Sequence, residues 1–248
     1  MSDPVPIGAV AQRQVTRLTA SAETDARVEA RIAEDEARKA AAEQQRRKDA
    51  VENLALKAGG DRYKGYLFEN YRVTDPSQGK AVEMVREWGE SVKDRVANCE
   101  SLVLYGKVGT GKDHLAFAAA RLAILKHGAT FGWRNGRALA GEFRDAMDSQ
   151  KSTSEAEIVR ELKRPDVLVL SDPLPVAGEL TPYQVDILYR VLDARYAAGR
   201  PLIVTLNAAD EADADRRLGP PLWDRIQDRA WIVPCRWEGF RKPSRVLK

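Results

Sequence analysis

An apolar pentapeptide running straight into Gly106-Lys107-Val108-Gly109-Thr110-Gly111-Lys112 constrains this 248-residue chain more than any other stretch. Ser101-Leu102-Val103-Leu104-Tyr105 has the length and character of a buried strand, and Leu115 to Lys126, closed by His127-Gly128, that of a helix. The loop between them fits GxxxxGK in the strand–loop–helix setting that gives this spacing a mechanism. Glycines let successive backbone N–H groups turn inward around phosphate oxygens, and the positive end of the following helix points at them. Lys112 adds a mobile charge for the β and γ phosphates. The cradle predicted in this way comprises Gly106, Lys107, Val108, Gly109, Thr110, Gly111, Lys112 and Asp113. Asp113 stands where a Ser or Thr hydroxyl usually reaches a magnesium ion. A carboxylate also ligates magnesium, and an acidic residue also suits a first helical turn, so both readings stand.

Four more short apolar runs, Ala129 to Trp133, Asp166 to Leu170, Pro201 to Leu206 and Ala230 to Pro234, alternate with stretches of helical composition. That alternation predicts an α/β fold with a parallel sheet. Right-handed crossovers then bring the strands' carboxyl ends to one edge, where ligands bind. Ahead of this core, Ser21 to Lys57 is rich in Ala, Glu, Arg, Lys and Gln and lacks Gly and Pro, which predicts a long helix. Its apolar stripe is too thin for a sustained heptad seam, so it is either a solvated arm or a helix that docks on a partner protein. Gly59-Gly60 breaks it, giving an arm over residues 1–58 and a core over 59–248. Between the two lies a linker with Tyr63, Tyr66, Phe68 and Tyr71, then an amphipathic helix over Gly79 to Val96.

Net charge is only +3, which permits nucleic-acid contact without demanding it. The two cysteines, Cys99 and Cys235, lack any paired spacing, which argues against a disulfide framework and a zinc site. The sequence has neither a membrane-length apolar run nor an export signal. A cytoplasmic protein without a membrane partner is expected.

Two strand ends carry further chemistry. Asp166 to Leu170 delivers Ser171-Asp172-Pro173 to the edge that holds the cradle, where an acidic group is needed beside a bound nucleotide. If the first residue after the apolar run holds magnesium, that residue is Ser171 and Asp172 occupies the water-activating position. If Asp172 holds the ion, no base follows it. The Pro201 to Leu206 run ends in Asn207, which either positions an attacking water or senses the γ phosphate, or else is a turn residue. Arg225 and Arg241 are candidates for stabilising phosphate charge.

In this order, Leu104-Tyr105-Gly106 to Leu115, the strand before Ser171-Asp172, Thr205-Leu206-Asn207, Asp224-Arg225 and Trp237-Glu238-Gly239-Phe240-Arg241 resemble the DnaC/IstB group of AAA+ ATPases. The resemblance covers residues 60 to 248. It implies a three-layer AAA+ core with a truncated C-terminal lid, binding ATP and Mg2+. It places Walker A at Lys112, Walker B at Asp172 with Ser171, sensor 1 at Asn207, the arginine finger at Arg225 and sensor 2 at Arg241. Asp113, Ser171 and Asp172 are thereby the candidate metal ligands. In this group the residue after the Walker A lysine is not always a hydroxyl. The resemblance further implies head-to-tail self-association, single-stranded DNA, and a replicative helicase docked on the N-terminal arm. The alternatives are a transposition helper ATPase of the IstB kind and an adaptor gated by ATP without turnover. Phe131, Trp133, Arg134, Arg137, Phe143 and Arg144 either contact single-stranded DNA or, for the aromatics, pack in the core.

Overall fold

The five apolar runs form five strands, β1 (Leu102–Gly106), β2 (Phe131–Asn135), β3 (Val167–Ser171), β4 (Leu202–Leu206) and β5 (Trp231–Cys235), in a computed structural model that describes the backbone of residues 7–147 and 153–240 and the side chains of residues 27, 29–147 and 153–240. All pair in parallel, in the order β2-β3-β4-β1-β5. Each begins one or two residues after the expected point. β1, β3 and β5 run on by one residue, to Gly106, Ser171 and Cys235, and β2 by two, to Asn135.

Successive side chains point to opposite faces of a strand, and the two faces have separate cores. Leu102, Leu104, Val167, Val169 and Ile203 join one cluster, while Val103, Tyr105, Leu168, Leu170 and Val204 join the other. On the first face lie α2 (Pro76–Glu90), α3 (Val92–Ala97) and α4 (Lys112–His127). Against the second pack α5 (Gly136–Ala146), α6 (Glu155–Lys163), α7 (Pro182–Ala197), α8 (Glu211–Leu218) and α9 (Pro220–Gln227). The result is the parallel α/β sheet expected from the alternation of strand and helix patterns, in the three-layer arrangement that the resemblance implies.

The amphipathic stretch expected over Gly79 to Val96 is two helices. α2 starts earlier, at a capping box of Asp75 and Gln78 with Pro76 in the first turn. It stops at Ser91, whose hydroxyl donates to the Glu87 carbonyl at 2.6 Å, the local competition that makes Ser a poor helix-interior residue. α4 begins directly after Gly111 and closes at Gly128, left-handed at φ 69°.

The chain divides into residues 1–46 and 47–248. Helix α1 (Ile7–Ala58) begins earlier than expected. In the first unit the described side chains are exposed, with local ion pairs such as Arg38–Asp35 at 2.9 Å. Within the second unit Val51, Leu54 and Ala55 are buried in the core, and Arg47 donates to the Leu125 carbonyl at 3.1 Å. The last turns of the expected arm therefore pack within the core of the second unit.

Candidate functional site

The loop after β1 is closed around its own lysine. Lys112 Nζ donates to the carbonyls of Gly106 and Lys107, each at 2.8 Å, and Thr110 Oγ1 donates to the Lys107 carbonyl at 3.0 Å. A cation thus sits inside a ring of backbone at the start of α4, where the helix dipole also favours anions. Only glycine fits at the loop's entry. Gly106 has φ 155°, and a Cβ there would lie 2.1 Å from the Cys235 carbonyl oxygen of β5.

Two aromatic donors hold the far side of the loop. Tyr71 Oη and Trp237 Nε1 both donate to the Thr110 carbonyl, at 2.8 and 2.9 Å. The Phe240 amide donates to the Gly109 carbonyl at 2.8 Å, and a Cβ at Gly239 would come within 2.8 Å of the Val108 carbonyl. The Trp237-Glu238-Gly239-Phe240 segment, expected to contribute an arginine, thus contributes a clamp on the phosphate loop. Arg241 itself lies outside the described residues.

Asp113 is the meeting point of three hydroxyls. Ser171 Oγ lies 3.1 and 3.0 Å from its two oxygens, Thr205 Oγ1 donates to Oδ1 at 2.7 Å, and Tyr63 Oη approaches Oδ2 at 3.5 Å. The first residue past the apolar run of β3, Ser171, is therefore the one that faces the phosphate loop. Asp172 turns elsewhere. It is left-handed at φ 50°, its amide continues the ladder to the Thr205 carbonyl at 2.9 Å, and its carboxylate pairs with Arg137 at 2.5 Å. Burial raises its pKa, opposed by the Arg137 charge, and its Oδ1 is buried without a hydrogen-bond partner. Asn207 lines the same cleft as Asp172, and its own carbonyl accepts from Arg217 at 2.6 Å.

These groups line one cleft of about 900 Å³ at the carboxyl edge of the sheet, shared by Lys112, Asp113, Ser171, Asp172, Asn207 and Arg217. Tyr63, Tyr66 and Phe240 supply aromatic wall, Tyr66 stacking on His114 at 4.5 Å. Arg225 lies apart, on α9, where it pairs with Asp193 at 3.0 Å and covers the rings of Tyr189 and Tyr196. Of the aromatics with two expected readings, Trp133 and Phe143 are core residues.

Sequence reasoning missed Arg217 and the roles that Tyr71, Thr205, Arg137 and Trp237 have at this site, Arg137 having been read only as a DNA contact. Tyr71 carries no motif, and Trp237 stood in the closing series only as the lead-in to Arg241, although two aromatics flanking a GxxxxGK core at long range could have been flagged as packing on it. Thr205 is set opposite Ser171 only by the pairing of β4 with β3 in register.

The donor set suits magnesium on a nucleotide. Mg2+ takes hard oxygen ligands and is commonly held by one or two carboxylates together with substrate phosphates. The cleft offers Asp113, Asp172 and the Ser171 hydroxyl. Among the described residues no group of three His, Cys, Asp or Glu side chains gathers as a self-sufficient metal cage.

A parallel sheet in this order, with a lysine-centred phosphate loop after β1 and an acidic strand end two strands away, defines a P-loop protein of the AAA+ class. Comparison with known proteins narrows the class. The chain belongs to the IstB-like ATP binding protein family, whose model matches residues 9–247. It is 30% identical over 187 residues to the replicative helicase loader DnaC of Escherichia coli K12, covering 72% of this chain and 69% of the relative. An insertion-sequence protein of Mycobacterium tuberculosis named for ATP binding is 33% identical over 110 residues, 44% of this chain and 41% of that one. The fold matches a crystal structure of the DnaC helicase loader with a TM-score of 0.62 at 21% identity, over 71% of this chain and 99% of that chain. Among the described residues no helix is long and apolar enough to cross a membrane.

Proposed function

We propose that this chain binds ATP with Mg2+ in the cleft and uses that binding to load a replicative helicase onto single-stranded DNA. One observation carries the nucleotide half: Lys112 is held at the centre of the loop by the Gly106 and Lys107 carbonyls, poised to exchange them for phosphate oxygens. Support for the loading half is the relationship to DnaC, together with an exposed helical segment before residue 47 suited to docking on another protein.

Asp113 and Ser171 would hold the magnesium, which when bound would neutralise charge developing on the phosphoryl oxygens, leaving Asp172 for the water. Asp172, whose partly desolvated carboxylate lines the same cleft, would accept a proton from an attacking water that Asn207 orients. Arg225 on α9 would serve a neighbouring copy's nucleotide in a head-to-tail assembly, and Arg241 would close on the phosphates of its own. Turnover is expected to be slow, since the Arg137 ion pair occupies the proposed base.

The test pairs Lys112→Ala with the parent in calorimetry and in a helicase assay. Removal of a charge-assisted phosphate contact worth about 1.5–3 kcal/mol should weaken ATP binding by roughly 10- to 150-fold. The parent, with ATP, should load the cognate replicative helicase onto protein-coated single strands, and the variant should not. ATP affinity unchanged by the substitution would end the nucleotide reading. A second reading, a transposition helper on duplex DNA, is favoured by the family match across residues 9–247. ATP-dependent recruitment of a transposase to duplex DNA, with no effect on helicase loading, would select it. Binding without any turnover would instead select a nucleotide-gated adaptor.

A further inference from the structure

The usual P-loop site takes a Ser or Thr hydroxyl from the start of the helix and an Asp carboxylate from the acidic strand end, both directed at one magnesium ion. Read one position at a time, this chain departs from that pattern twice. Asp113 replaces the hydroxyl, and Ser171 replaces the carboxylate. In three dimensions the two departures are a single event. Ser171 Oγ is 3.0–3.1 Å from the Asp113 oxygens, so the site contains the same two groups in contact, carried by opposite elements.

We propose that Asp113 and Ser171 have exchanged roles: Asp113 supplies the carboxylate of the magnesium site from helix α4, and Ser171 supplies the hydroxyl from β3. This deepens the ATP and Mg2+ reading above and rests on it. Three features beyond the contact support it. Ser171 is 4% exposed and Thr205 1% exposed, and both spend their hydroxyls on Asp113, which fixes the carboxylate instead of leaving it to swing into solvent. Asp172, the competing carboxylate, has one oxygen paired with Arg137 and is not among the groups that contact Asp113. And β4 places Thr205 beside Ser171 in register, so the hydroxyl support for Asp113 comes from two adjacent strands.

An exchange makes a prediction that neither departure makes alone, because the two positions must be coupled. Asp113→Ser leaves two hydroxyls and no carboxylate at the ion. Ser171→Asp puts two carboxylates in contact, and like charges at that distance oppose one another strongly. Asp113→Ser combined with Ser171→Asp restores one of each, in the common arrangement.

The experiment measures Mn2+ affinity by electron paramagnetic resonance in the presence of a non-hydrolysable ATP analogue, and analogue affinity in EDTA, for the parent, both single variants and the double variant. Circular dichroism checks folding. In the parent, metal should strengthen analogue binding. Asp113→Ser should lower Mn2+ affinity tenfold or more with metal-free analogue binding within about threefold of the parent. The double variant should recover Mn2+ affinity to within about threefold. If Ser171→Asp alone does not fold, Ser171→Ala takes its place and should weaken Mn2+ by a few-fold, while the double variant still reports the exchange. Parent-like Mn2+ affinity in Asp113→Ser, or a folded double variant no better than Asp113→Ser, would overturn the proposal. Absence of metal-free analogue binding in the parent would instead strike the ATP reading on which it rests.

Discussion

Replacing Tyr71 and Trp237 together by Phe should loosen the phosphate loop without unfolding the sheet. Both side chains donate to one acceptor, the Thr110 carbonyl, at 2.8 and 2.9 Å. Thr110 is fully buried, and burial pushes the Tyr71 phenol well up, so it remains a donor across the usable pH range. Either single substitution leaves the carbonyl one partner and should cost about 0.5–1.5 kcal/mol, the net value of an ordinary hydrogen bond. Loss of both leaves a buried carbonyl unsatisfied, about 1–3 kcal/mol for that group alone, so the pair should cost more than the two singles added. Lys107 and Val108, at the loop's outer turn, are exposed, so the loop can yield locally while β1 and α4 stay packed. Expressed wholly in nucleotide binding, about 1–3 kcal/mol is roughly a 5- to 150-fold loss. Tyr71→Phe keeps the ring contacts with His114 and Phe240, at 5.2 and 5.5 Å, so that single variant isolates the hydrogen bond from the packing. The assay is a fluorescent ATP-analogue titration beside thermal melting. A double variant that binds within twofold of the parent, or one that loses binding only in proportion to its loss of melting temperature, would refute the clamp.

Deleting residues 1–46 should leave ATP affinity and melting temperature unchanged and abolish helicase capture, whereas deleting 1–58 should lower the melting temperature sharply, because it removes Val51, Leu54 and Ala55 from the core and a buried Leu alone is worth about 2–5 kcal/mol; equal melting of the two truncations would contradict the packing described. Asp166 is buried enough to raise its pKa, yet bonds from Thr130 and the Arg200 ion pair outweigh burial and lower it. A carboxylate depressed in the fold contributes stability above its unfolded pKa of about 3.9 and loses it as pH falls through the folded value. Asp166→Asn should therefore melt below the parent at pH 7, with the gap closing in the acid limb, and a gap independent of pH would refute the linkage. Mixing Arg225→Ala with Lys112→Ala protein should recover ATP turnover that neither has alone, since each supplies the intact half of a shared site; sedimentation showing only monomer with ATP and DNA present would exclude the arrangement.

Much of the fold was legible because each of its signals is local. Strand β1, the loop and α4 are contiguous, so a reader of the sequence meets the phosphate cradle whole, and the five apolar runs announce five strands before their order is known. The helix break at Ser91 and the early start at Asp75 escaped because a capping box and a side-chain bond to the preceding turn weigh less in a periodicity than the apolar positions do. What the sequence withheld at the site is what depends on strand order. Thr205, Ser171 and Asp113 lie on three elements separated by dozens of residues, and only the β3-β4-β1 arrangement sets them within hydrogen-bond reach of one another. A motif compares each position with its own template, so it scores Asp113 and Ser171 as two defects, each pointing to a weakened magnesium site. Contact between the two changes the inference, because a carboxylate lost from a strand end and a carboxylate gained 3 Å away leave the charge beside the phosphates the same. On that argument the departures in this chain bear on which backbone carries the carboxylate, and they give no reason to expect that nucleotide binding has been lost.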